Sequence, residues 1–119
     1  MVSASTSNQV KDLMQAVNDS DNGVMNLQLD NYQTGGKTGT AERYDPKTGG
    51  YNGYVTSYVG FAPLDDPEIL TYVVVNNPRS GDTGTGVAAP VYHDIMEMAL
   101  PRYGVEPTTK KTTKKAIDW

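Results

Sequence analysis

The strongest constraint on this chain is a nine-residue alternation followed closely by an apolar run. From Tyr54 to Ala62, Val55, Ser57, Val59 and Phe61 fall on one face of an extended segment, and Tyr54, Thr56 and Tyr58 fall on the other. Turn chemistry follows in Leu64-Asp65-Asp66-Pro67-Glu68. Ile69 to Val75 is then β-branched and apolar almost throughout, the pattern of a central strand buried on both faces. A link this short joins strands as an antiparallel pair, because a parallel pair needs a long crossover.

The flanks read as helices. Val10, Leu13, Met14 and Val17 recur at helical spacing, so Ser7 to about Asn18 is expected to be amphipathic, with Thr6 and Gln9 as a capping box. Asn18 to Gly23 is turn chemistry and ends it. Near the other end, Ala88 to Leu100 predicts a second helix, with Pro90 in its first turn and Pro101 closing it. Its apolar side comprises Ala88, Val91, Tyr92, Ile95, Met98 and Ala99. The expected fold class is α+β: a three-stranded antiparallel meander with an N-terminal and a C-terminal helix covering one face.

Composition sets outer bounds. In 119 residues with a hydrophobic fraction of 37%, the buried core is modest. The formal charge is −4. From Glu106 onward four lysines face two acids, a net +2, which leaves −6 on the body. An acidic body argues against a nucleic-acid groove. The absence of cysteine removes disulfides and thiol chemistry. No run approaches the ~20 apolar residues of a membrane span, so no membrane contact is expected of this segment. Residues 1–104 are read as one structural unit and residues 105–119, rich in Thr and Lys, as a disordered tail.

Chemistry concentrates in Gly35-Gly36-Lys37-Thr38-Gly39-Thr40. As a phosphate-binding loop it fails. The first glycine of G-x-x-x-x-G-K-[ST] would fall on Asn31, no apolar strand precedes the motif, and no helical pattern follows it. The alternative is the Lys-Thr-Gly motif of penicillin-binding serine acyltransferases, carried on an edge strand where glycine permits close approach of a substrate backbone. Gln33 to Arg43 is accordingly taken as the first strand, although its composition alone does not predict one.

The phrases around the motif recur in order: GGKTGTAE, then GYVTSYVGFAPLDDPEILTYVVVNNPR, then VAAPVYHDIMEMAL. From about Ser3 to Tyr103 the chain resembles the last third of the transpeptidase domain of class B penicillin-binding proteins. The resemblance implies a part in a D,D-transpeptidase that cross-links peptidoglycan on the extracytoplasmic face of the bacterial membrane, with stem peptides and β-lactams as partners. It implies no cofactor and no metal. Lys37 would assist proton transfer beside the serine of the family's second motif. Thr38 and Thr40 would bind a terminal carboxylate along the Lys37-Thr38-Gly39 strand, and the Thr40 backbone amide would form half of an oxyanion hole.

The chain departs from the family pattern at the nucleophile. None of Ser3, Ser5, Ser7, Ser20, Ser57 and Ser80 has a lysine three residues later, so the S-x-x-K motif is absent. Ser20-Asp21-Asn22 spells the second motif but stands only some fifteen residues before Lys37, in turn chemistry. The chain is therefore expected to be a fragment, inactive alone and needing the N-terminal part of its domain. A non-catalytic peptide-binding module on the same scaffold is the alternative. His93, the Asp65-Asp66 pair and Arg79 read as surface or turn residues, and Tyr51, Tyr54 and Tyr58 as sheet packing rather than groove lining.

Overall fold

In a computed structural model, which describes residues 1–19, 27–81 and 83–108, the order is α1 (Ala4–Asp19), β1 (Gly35–Asp45), β2 (Gly50–Ala62), β3 (Ile69–Asn76) and α2 (Gly84–Arg102). The strands form one antiparallel sheet in the order β1-β2-β3, so the α+β meander between two helices is the observed fold. The register sets Lys37 opposite Val59, Gly39 opposite Ser57 and Thr40 opposite Thr56. On the far side of β2, Val59 pairs with Tyr72 and Ser57 with Val74.

The register divides the sheet into two unlike faces. On one, Thr56, Tyr58 and Gly60 of β2 lie beneath α2, whose residues Ala88, Ala89, Tyr92, Met96 and Leu100 are fully buried. The Tyr58 and Tyr92 rings meet at 4.7 Å between centroids, a contact of about 0.5–1.5 kcal/mol beyond the area it buries. Gly60 makes room for it, since a Cβ there would stand 2.5 Å from the Tyr92 ring. A chain of hydrogen bonds ties the layers. The Tyr58 hydroxyl donates to Asn18 Oδ1 (2.7 Å), and Asn18 Nδ2 donates to the Thr34 carbonyl (3.3 Å). Thr34 Oγ1 donates to the Phe61 carbonyl (2.9 Å), so the Tyr92 hydroxyl donates to Thr34 at 2.6 Å. Each buried polar group thereby keeps the partner that burial demands. Thr56 Oγ1 is the exception, buried without a hydrogen bond among the described residues.

Several expectations are corrected. β3 is an edge strand, not a central one: Leu70, Tyr72 and Val74 are 67%, 62% and 49% exposed while Ile69, Thr71, Val73 and Val75 alternate inward. Its apolar run reflects two apolar faces, of which α2 covers one. The helices do not share a face either. α2 spans all three strands, whereas α1 meets β1, with Met14 Cβ 3.3 Å from the place of a Gly35 Cβ on the side away from Tyr58. Helix α1 starts earlier than the Thr6-Gln9 box implies, because Ser3 Oγ accepts the Thr6 amide (3.1 Å) and does the capping. Helix α2 starts at Gly84 behind the cap residue Thr83, which places Pro90 and Pro101 inside it. Its buried stripe is Ala88, Tyr92, Met96 and Leu100 at four-residue spacing, leaving Val91 and Met98 exposed.

Residues 105–108, which the sequence reading assigns to the tail, pack onto the body. Val105 is buried, its carbonyl accepts the Tyr32 hydroxyl (2.8 Å), and the Thr108 amide donates to the Asn31 carbonyl (2.9 Å). The lysine-rich stretch after Thr108 and the Ser20-Asp21-Asn22 triplet lie outside the described residues.

Candidate functional site

Lys37 to Thr40 are extended on β1, which pairs with β2 on one side and has no strand on the other among the described residues. Lys37 and Thr40 are exposed, and Thr38 and Gly39 are half-buried. β1 forms here in spite of its glycines because β2 supplies an unbroken ladder from Gly35↔Phe61 to Glu42↔Tyr54. Tertiary pairing outweighs weak local propensity.

Lys37 and Gly39 open onto the sheet face that α2 leaves bare. A shallow depression of about 310 Å³ lies there, bounded by Lys37, Thr38 and Gly39 of β1, Ser57 and Val59 of β2, and Leu70 and Tyr72 of β3. Its walls are apolar apart from Lys37 and Thr38 of β1 and Ser57 of β2. Lys37 Nζ donates to the Thr38 carbonyl (2.8 Å) and approaches Thr38 Oγ1 (3.4 Å), so the ammonium folds back along its own strand. Gly39 is confined by its partner, since a Cβ would stand 2.5 Å from Ser57 Oγ.

Thr40 looks the other way. Its Oγ1 accepts the Gly84 amide N–H at 3.2 Å, at the first residue of α2. The four candidate residues therefore stand on one strand edge but divide between two environments: Lys37 and Gly39 beside the open depression, Thr40 against the start of α2.

The remaining candidates fall elsewhere. Tyr58 is wholly buried against Tyr92, and burial, with the neighbouring Tyr92 phenol, drives its own phenol well above the ordinary tyrosine range. Tyr51 is exposed at the hairpin end, edge-on to Tyr44 at 5.9 Å. Tyr54 stands opposite Glu42. His93 is on α2, with Nδ1 3.5 Å from Asp94 and Nε2 3.9 Å from Glu97. The Asp65 carbonyl accepts Lys11 Nζ (2.8 Å) in the β2–β3 turn, and Arg79 stands between β3 and α2. Sequence reasoning missed Ser57, Val59, Leu70 and Tyr72 as lining residues and Gly84 as the partner of Thr40. The odd-numbered face of the Tyr54–Ala62 alternation was the available signal for the first two.

The chain belongs to the family described as the penicillin binding protein transpeptidase domain, which matches residues 1–97. It is 39% identical over 118 residues to stage V sporulation protein D of Bacillus subtilis, covering 97% of this chain and 18% of that protein. It is 33% identical over 111 residues to a probable peptidoglycan D,D-transpeptidase PenA of Neisseria flavescens, covering 91% of this chain and 27% of that one. Among solved structures, the transpeptidase domain of Burkholderia pseudomallei penicillin-binding protein 3 superposes with a TM-score of 0.75 at 30% identity, covering 89% of this chain and 32% of that one. Penicillin-binding protein 3 of Mycobacterium tuberculosis, solved with ampicillin, gives 0.75 at 29% identity, covering 92% and 26%. The chain thus spans about a fifth to a quarter of the length of these curated relatives.

Proposed function

We propose that this chain supplies the carboxylate-binding wall of a serine D,D-transpeptidase that cross-links peptidoglycan stem peptides outside the cytoplasmic membrane and is acylated by β-lactams. The observation that carries this reading is the extended edge strand. Lys37 and Thr38 present a cation and a hydroxyl beside a largely apolar groove, and Thr40 adds a second hydroxyl further along the same strand, toward α2. A terminal carboxylate meets such a strand as an extra extended segment, its charge matched by the ammonium and by hydroxyl donors.

In this reading Lys37 holds positive charge beside the nucleophile and aids its proton transfer. Thr38 and Thr40 orient the carboxylate, and the Thr40 amide forms half of the oxyanion hole. The attacking serine and its lysine come from outside this sequence, since no S-x-x-K occurs in it. Acylation then opens the β-lactam amide, the serine oxygen bonding to the carbonyl carbon and the ring nitrogen taking the proton.

Labelled penicillin tests this. The chain alone should take no covalent label. Combined with the transpeptidase region that carries S-x-x-K, it should be part of a complex that labels, and Lys37→Ala should abolish the signal. Stable acylation of the isolated chain, or full labelling with Lys37→Ala, would refute the reading. The missing S-x-x-K also favours a second reading, a non-catalytic peptide-binding module. Reversible stem-peptide binding by the chain alone, lost in Lys37→Ala, would select that one.

A further inference from the structure

The first turn of α2 touches the candidate strand more closely than packing requires. Thr83 caps the helix, and its Oγ1 accepts the Gly86 amide at 3.1 Å. The Gly84 amide is one of the first-turn donors that no helical carbonyl can satisfy. It is spent on a side chain 44 positions away, Thr40 Oγ1, at 3.2 Å. The approach is possible only because position 84 has no side chain. A Cβ there would collide with the Ser57 carbonyl and stand 2.8 Å from the Gly39 carbonyl and 3.1 Å from the Gly39 nitrogen. Gly39 and Ser57 are register partners, so the helix start rests on the backbone of the β1–β2 pair at the Lys-Thr-Gly motif.

A hydroxyl has one proton and two lone pairs. With one lone pair held by an N–H, the Thr40 hydroxyl is fixed in place and its proton is free to point away from Gly84. Thr40 is exposed, so that proton faces solvent or a ligand. Donors arranged in sequence also polarise one another, which strengthens the outer bond.

We propose that Gly84 is a positioning residue for substrate recognition: its amide N–H, delivered by direct backbone contact between α2 and β1, sets the Thr40 hydroxyl as a hydrogen-bond donor to the substrate carboxylate. The proposal rests on the reading of Lys37 to Thr40 as the carboxylate wall, and it adds a specificity element from the opposite face of the sheet. Carboxylate selectivity is thereby coupled to the seating of α2.

The test uses the complete transpeptidase that carries this chain and two matched β-lactams, one with a free ring carboxylate and one with its methyl ester. The readout is the second-order acylation rate for each. Three changes are compared: Thr40→Val, Gly84→Ala, and an amide-to-ester replacement at Gly84 that deletes the N–H and adds no atom. Thr40→Val should slow the carboxylate compound about ten- to a hundredfold, the range of a hydrogen bond to a charged group, and leave the ester compound nearly unchanged. The backbone ester at Gly84 should slow the carboxylate compound about three- to tenfold, again selectively, and add nothing when combined with Thr40→Val. Gly84→Ala should give the same selective loss. Should that variant fail to fold, the backbone ester decides the matter.

A selective loss in Thr40→Val with no effect of the backbone ester overturns the positioning role alone. So does equal slowing of both compounds by the ester, or a loss that multiplies with Thr40→Val. If Thr40→Val itself leaves the carboxylate-to-ester ratio unchanged, the carboxylate-wall reading fails, and the positioning role with it.

Discussion

The two faces of this small sheet are made from the same three strands, yet they obey different physics. Under α2, Tyr58, Tyr92, Met96 and Leu100 are sealed from water, and the hydroxyls of Tyr58, Tyr92 and Thr34 are all paired. On the opposite face Leu70, Tyr72 and Val74 are no less apolar but stand in solvent, with Lys37 at their edge. The first face holds the chain together. The second carries the depression beside Lys37, and apolar area left bare on this scale is uncommon on a monomer's surface. Hydrophobicity alone does not distinguish them. What does is which face a helix returns to cover.

The sharpest test of that contrast is a pair of truncations in this chain. Tyr92→Ala should cost about 3–5 kcal/mol in urea unfolding, as a buried aromatic lost from a packed layer does. Tyr72→Ala should stay within about 0.5 kcal/mol. Equal costs would mean that the open face is structural too.

Alkali supplies the next largest effect. Burial drives the Tyr92 phenol from 10.0 up to about 12. A raised folded-state value means that the neutral phenol is the stable form. Its contribution is complete below pH 10 and drains away as pH rises toward 12. About 2–3 kcal/mol should be lost across that window. Tyr92→Phe should flatten this part of the stability profile. An unaltered slope in that variant would show that other groups govern alkaline unfolding.

A smaller effect is expected from the polar network. Tyr58→Phe leaves Asn18 Oδ1 without its donor and should cost about 1–3 kcal/mol, read from the denaturation midpoint. Thr56→Val should have the least effect and the opposite sign. It replaces a buried hydroxyl that has no partner among the described residues, for a gain of about 1 kcal/mol in the same assay. Destabilisation by Thr56→Val would show that its hydroxyl is satisfied after all.

Much of this was legible beforehand, and the failures follow a pattern. The Tyr54–Ala62 alternation names the two faces of β2 correctly, because the side-chain period of an extended chain is two whatever surrounds it. The extended state of Lys37 to Thr40 follows from chemistry, since the three glycines and three threonines of Gln33 to Arg43 give no periodic signal. The run from Ile69 to Val75 was misread as a strand buried on both faces, because β-branched residues mark a strand without saying how many neighbours it has. The link between Thr40 and Gly84 was invisible, as nothing in 44 intervening residues announces that a helix amide will meet that hydroxyl.

By itself the sequence determined the order of elements, the antiparallel meander and the clustering of a cation with hydroxyls at Lys37 to Thr40. Those depend on local rules: alternation, helical spacing and links too short for a crossover. Tertiary structure alone decided that α2 lies across all three strands while α1 meets β1, that Leu70, Tyr72 and Val74 remain open, and that Gly84 grips Thr40. Each of these depends on which surfaces meet, and that is settled by burying the Tyr58–Tyr92 layer as a whole rather than by any one residue's preference.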